Sequence, residues 1–165
     1  MIKVICNASP IIGLMGIEKL SLLWELFDEV VMPEAVFQEI CAGKRKFDTS
    51  LIKNAIDAGH IKVIKIRSKD MTSLLYGKLH AGELETIVGA KEDPDIRFAI
   101  IDEKAARTFA AAMLVDTLGI LGILRYAKNK GKIKDIRPYL DRLIQNNYRI
   151  SDGLYYQVLE KENEL

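Results

Sequence analysis

Histidine and cysteine are nearly absent: the 165 residues hold two of each, His60, His80, Cys6 and Cys41. With so few imidazoles and no CxxC spacing, a zinc site is not expected. Both thiols lie in apolar stretches and read as buried free thiols of a reducing compartment. Long apolar runs are missing too. None approaches the ~18 residues of a membrane span, and only three apolar residues separate Lys3 from Asn7. No signal peptide or membrane contact is therefore expected, and the expected location is cytoplasmic. An excess of charge is also lacking, since 24 basic residues face 23 acidic ones for a net charge of +1. That excludes a purely electrostatic nucleic-acid binder. It still admits a metal nuclease, whose acidic pocket cancels basic residues elsewhere in the sum. No glycine-rich phosphate loop, GxSxG elbow or Cys–His pairing occurs, which leaves a small α/β enzyme of other chemistry without support.

What is present is an ordinary globular composition, 49% apolar and 28% charged, over a length that suits one domain, 1–165, with its own core. Residues 2–6 are short, β-branched and apolar, a buried strand. Ser9-Pro10 supplies an N-cap and a first-turn proline for a helix, and Leu20, Leu23, Trp24 and Phe27 continue at helical spacing. A short β-rich piece over 29–32 ends at Pro33, which opens the helix PEAVFQEICAG, closed by Gly43. A charged loop over 44–49 follows; Asp48 caps a helix to about residue 58, and Gly59 stops it. IKVIKI, 61–66, alternates as a half-solvated strand does. Helices are expected over 68–78 and 81–91, a turn at Asp93-Pro94-Asp95, a strand over 97–101, a helix over 103–111 and a strand over 113–115. Helices over 118–130, 134–146 and 151–162 complete the chain. Strands alternating with helices, without internal repeat, low-complexity tract or long linker, predict an α/β fold with a mostly parallel central sheet.

In such a sheet, ligands bind beyond the carboxyl ends of the strands. Three expected strands run into a side chain bearing oxygen: Asn7 after VIC, Asp102 after FAII and Asp116 after MLV. One such residue alone is more often a turn or cap residue; three ending neighbouring strands point to a site. Glu39 sits one helical step from the apolar side of its helix and can point along the sheet or into water. Glu83 and Glu85 begin the helix of HAGELETIVGA, where favourable interaction with the helix dipole also accounts for acids. If these groups converge, their mutual repulsion calls for a divalent cation. Oxygen-only ligation suits Mg²⁺ or Mn²⁺, and hydrolysis of a nucleic-acid phosphodiester is the natural chemistry.

The order NASPII, VVMPEAVFQEI, AGELETIVGAKE, AIIDEKAARTFA, TLGILGILRYAKNKGKI and YRISDGLYYQVL resembles the PIN-domain superfamily. The likeness is greatest to its VapC-related branch, with an Asn-or-Asp, Thr, Ser, Pro opening and an RISD helix at the close. It runs from Lys3 to about Leu159. The resemblance implies a three-layer PIN-like fold, a sheet between helices, and a metal-dependent ribonuclease with Mg²⁺ or Mn²⁺ held by acids. The family's acids fall on Asn7, Glu39, Glu83 (with Glu85 as a near alternative) and Asp102, beside Glu103. Of these, Glu39, Glu83 and Asp102 are implied to be catalytic. Ser9 and Thr117 match small hydroxyl residues of the pattern. Arg107 matches its arginine, either to meet a phosphate or to pair with a helix acid. Asn7 departs from the pattern by bringing an oxygen without charge. Asp116, where this branch often has glycine, is expected as a further metal ligand returning that charge. The implied partners are RNA, an antitoxin protein if the chain is the toxin of a toxin–antitoxin pair, and a second copy in a homodimer. The competing reading is a weakened PIN-like module that binds RNA or protein. In that reading the loops at Gly43-Lys44-Arg45-Lys46 and over 128–132 meet phosphates.

Overall fold

The computed structural model describes residues 1–43, 48–68 and 79–165. Five strands form one sheet: β1 (Lys3–Cys6), β2 (Glu29–Pro33), β3 (Lys62–Ile64), β4 (Ile96–Ile100) and β5 (Thr117–Leu118). Their order is β3-β2-β1-β4-β5, and every neighbouring pair is parallel. The order reverses at β1, where the chain leaves for β2 on one side and later returns as β4 on the other. Side chains alternate faces along each strand, and the core divides accordingly. Val4, Cys6, Val30, Met32 and Ile100 join one buried cluster. Ile5, Val31, Ala99 and Ile101 join the other.

Helices cover both faces. The first cluster takes in residues of α1 (Ala8–Gly16), α2 (Leu22–Leu26), α3 (Glu34–Ala42) and α4 (Ser50–Asp57). The second takes Ile87 from α5 (Ala81–Glu92) and Ala106 and Ala110 from α6 (Lys104–Ala112). The last helices, α7 (Ile120–Asn129), α8 (Arg137–Gln145) and α9 (Asp152–Lys161), return to the first face through Ile123, Leu140 and Leu159. This is the expected three-layer α/β arrangement, with each fully buried aliphatic side chain contributing ~1.5–3 kcal/mol. Gly89 lets α5 close on the sheet: a Cβ there would lie 2.6 Å from Ile5 Cδ1. Among the described residues no helix is long and apolar enough to cross a membrane.

Several local expectations are corrected. The N-cap position of the first helix is held by Asn7 and not by Ser9; Pro10 is its third residue, harmless because first-turn N–H groups lack intrahelical partners. Cys6 is fully buried, and burial pushes its thiol well up, but Cys41 is exposed. The helix expected over 68–78, beyond Ser68, and the basic loop 44–46 lie outside the described residues.

Residues 113–115 are not a strand. They end α6: Leu114 N–H donates to the Ala111 carbonyl at 3.0 Å and Val115 N–H to the Ala110 carbonyl at 2.8 Å. That is the Schellman pattern of a helix C-terminus. Its left-handed position normally carries glycine, but here it carries Leu114, with φ +61° and 87% exposure. A leucine there disguises the stop as an apolar strand. The strand comes later, at Thr117–Leu118, so α7 begins only at Ile120. Because Leu114 is strained and packs against little, Leu114→Gly should raise stability by about 0.5–1 kcal/mol. Urea denaturation of the two proteins checks this, and equal or lower midpoint stability would contradict it.

Candidate active site

The reversal point of a parallel sheet leaves a crevice between the two strands that diverge from it. Here that crevice lies between the carboxyl ends of β1 and β4. Asn7 follows β1 directly, and its backbone N–H continues the ladder to the Ile100 carbonyl at 3.0 Å. Asp102 follows two residues beyond that carbonyl. The register thus sets the two side chains on adjacent strand ends.

Asn7 occupies the N-cap position of α1, yet its side chain makes no capping hydrogen bond. The residue is 4% exposed, and its Oδ1 is buried with no hydrogen-bond partner. Asp102 is divided between two tasks. Its Oδ1 accepts the Ile120 N–H at 2.8 Å and so caps α7. Its Oδ2 is buried without a regular hydrogen bond, although the Tyr148 hydroxyl is close enough to favour the ionised form. Burial is the largest influence on the Asp102 carboxyl and raises its pKa; Tyr148, the Ile120 N–H and the Arg107 charge oppose this without cancelling it. The same burial, with the neighbouring Asp102 charge, drives the Tyr148 hydroxyl far above its ordinary pKa, so it remains a donor.

Glu39 and Asn7 meet at Gly82, with Glu83 next in the chain. A Cβ built on Gly82 would lie 2.7 Å from Glu39 Oε2 and 3.5 Å from Asn7 Oδ1, so the absence of a side chain at 82 is what admits both oxygens. Glu83 follows on the first turn of α5 and is 7% exposed. Its Oε2 accepts the His80 N–H at 3.2 Å in a capping box. Burial raises the Glu83 pKa; the His80 N–H and the nearby His80 ring oppose it, and Glu103 and Glu39 add repulsion. Glu103 is the exposed N-cap of α6. Glu85, two residues beyond Glu83, is turned about 200° away around α5.

The remaining expected residues divide. Arg107 lies on α6 with its Nη1 3.5 Å from where a Gly119 Cβ would stand, the same place that approaches Asp102 Oδ1 to 2.9 Å. Arg107 and Thr117 share the lining of a cavity with Asp102. Ser9 is exposed on the first turn of α1. Asp116 does not join the group. It precedes β5 instead of ending a strand, its side chain is 67% exposed, and it pairs with Arg97 Nη1 at 2.7 Å. Arg97 opens the opposite, amino-terminal end of β4, so Asp116 is not placed to return the charge missing at Asn7. In the basic run 128–132, Lys128 is committed to Glu164 at 2.8 Å. Tyr148, Gly82 and Gly119 were not singled out by motif or spacing; the small residues preceding Glu83 and Ile120 were the available signals for the glycines.

The donor set is oxygen only, which fits a hard divalent cation and no soft one. Its charge is low. Among the described residues no three His, Cys, Asp or Glu side chains gather closely enough for one ion, and at the place of a third carboxylate beside Glu39 and Glu83 stands the Asn7 amide. Like charges then go uncompensated. Since the folded-state pKa of Glu83 lies above its ordinary value, ionising it costs stability as pH rises through that window. Glu83→Gln keeps the cap acceptor, so the metal-free variant should be more stable than wild type at pH 7. The difference should vanish below about pH 4.3, the ordinary glutamate value. Thermal melts in EDTA across this range test it, and a pH-independent difference would contradict the assignment.

A family model described as a PIN domain matches residues 3–164. No curated protein and no solved structure matches the chain.

Proposed function

The chain belongs to the PIN-domain family, and from that premise we propose that it is a divalent-metal-dependent ribonuclease. The observation that carries this reading is the buried, unpartnered Asn7 Oδ1 on the strand end next to Asp102, whose buried Oδ2 makes no regular hydrogen bond and has only the Tyr148 hydroxyl close by. A buried acceptor left without a donor costs about 1–3 kcal/mol, and one on the strand end next to a buried carboxylate calls for a cation. Asn7 and Asp102 would hold the ion, with Glu39 and Glu83 supplying charge. Bound there, Mg²⁺ or Mn²⁺ would activate water and stabilise the charge developing on a phosphodiester. The protein's own groups do the rest. The Ile120 N–H fixes the Asp102 carboxylate, the Gly82 gap admits Glu39, and Arg107 faces the same carboxylate from the substrate side.

The second reading, a module that binds RNA or protein without cutting, is favoured by Asn7 and by the lack of three gathered acids. The toxin role, the antitoxin partner and the homodimer belong to the ribonuclease reading through the resemblance, and growth arrest on expression would support the first of them.

Calorimetric titration of metal-stripped protein with Mn²⁺ separates the two readings. The ribonuclease reading expects binding by wild type that weakens at least about tenfold in both Glu39→Gln and Asp102→Asn, with metal-dependent cleavage of RNA. No wild-type binding, regained in Asn7→Asp, would hand the site to the binding module.

A further inference from the structure

Beside Asp102, and lined by neither Glu39 nor Glu83, lies a cavity of about 310 Å³. Four cationic side chains line it: Arg107 from α6, Arg125 from α7, Arg149 before α9 and Lys161 from the end of α9. In a chain of net charge +1 this is a strong local excess, answered at the cavity by Asp102. Arg125 is already paired with Glu162 at 2.6 Å. Among the described residues, Arg107, Arg149 and Lys161 form no ion pair within 4 Å, and all three are exposed. Between the cations the wall is apolar, made by Leu121, Ile150 and Leu154, with Tyr148 at the Asp102 end.

We propose that this cavity seats one nucleotide of a single-stranded RNA next to the scissile phosphate, with a backbone phosphate on Arg107, Arg149 and Lys161 and a base against the apolar wall. The proposal deepens the ribonuclease reading by naming where the strand lies relative to the acids. The two halves of the crevice are of opposite character. The acidic half would repel a polyanion unless a cation stood in it, and the basic half attracts one directly. Asp102 belongs to both, so a strand held by the cations lies against one of the acids. The volume is at the small end for ligand sites. It admits one splayed nucleotide and not a duplex, whose bases face inward. Tyr148 offers one ring for a base to stack on, the aliphatic side chains cover the rest of its face, and the cations meet the phosphates. An acidic peptide would satisfy the cations but leave the wall unused.

Fluorescence anisotropy of a short labelled oligouridylate, in EDTA and over a range of salt, tests the seat apart from the chemistry. The Arg149→Gln/Lys161→Gln double variant should bind at least about tenfold more weakly. Its slope of log affinity against log salt should fall by about 0.7 for each phosphate that is no longer neutralised. A control double variant at exposed lysines outside the cavity, Lys53→Gln/Lys91→Gln, should behave as wild type. The proposal is overturned by absent RNA binding in wild type, by an unchanged affinity and slope in the cavity variant, or by an equal loss in the control. It is overturned also if hexaglutamate binds as tightly as the RNA and is lost with the same two residues, which would make the surface a protein-docking site. Because the assay contains no metal, a failure of Mn²⁺ binding or cleavage would remove the ribonuclease reading and leave the seat standing. Cleavage by wild type with unaltered RNA binding in the cavity variant would remove the seat alone.

Discussion

A protein that buries a hydrogen-bond acceptor without a donor gives up about 1–3 kcal/mol, and this one does so at Asn7, on the strand end next to an Asp102 that is only half committed. The rest of the structure is arranged around that pair. The parallel register of β1 with β4 sets Asn7 beside the end of the strand that leads to Asp102. The helix that begins at Asn7 does not use its side chain as a cap, although Asn is among the best capping residues. The helix that begins at Ile120 takes only one of the two Asp102 oxygens. Capping, the ordinary employment of such residues, thus accounts for half of Asp102 and none of the Asn7 side chain. Marginal stability makes a loss of this size a substantial fraction of the total, and a compensating ligand is the simplest physical reason for it.

Around those two atoms the charges are sorted. Glu39, Glu83 and Glu103 lie on one side, where burial first, and then Glu103 and Glu39, raise the proton affinity of Glu83. Arg107, Arg149 and Lys161 lie on the other. Neither grouping shows in a net charge of +1, because the sum cancels what the fold separates. The crevice is therefore both a place where a cation relieves repulsion and a place where a phosphate chain finds its counter-charge. Substituting an amide for a carboxylate at Asn7 shifts the first property without touching the second. This is why metal binding and RNA binding are separable by experiment.

The architecture was legible because its signals were local and repeated. Alternating strand and helix periods, Pro33 opening α3 and Gly59 closing α4 each pointed the same way, and the strand ends picked out Asn7 and Asp102. Asp116 was misplaced for one traceable reason. Leu114 stands where a helix stop normally has glycine, so MLV read as a strand and Asp116 as its end. Ser9 looked like a cap because the serine–proline pair is a strong start signal, but the chain turns two residues earlier. The cavity was not legible at all. Its lining comes from five segments, the residues after β4, α6, β5, α7, and α9 with the residues leading into it, and no spacing rule joins positions so far apart in the chain. Gly82 and Gly119 matter for what they leave empty, which a sequence does not display.

The central claim is that Asn7 Oδ1 is unpartnered, and Asp102 Oδ2 met only by the nearby Tyr148 hydroxyl, because a divalent cation belongs between the strand ends. The most direct test is a crystal of the protein grown or soaked with Mn²⁺ and measured at a wavelength where manganese scatters anomalously. The account predicts an anomalous peak touching both oxygens, at the ~2.0–2.2 Å distances of small hard cations, with the Glu39 carboxylate turned toward it. A map without a peak at the crevice, or with the Asn7 amide nitrogen facing inward and hydrogen-bonded to Asp102, would contradict it.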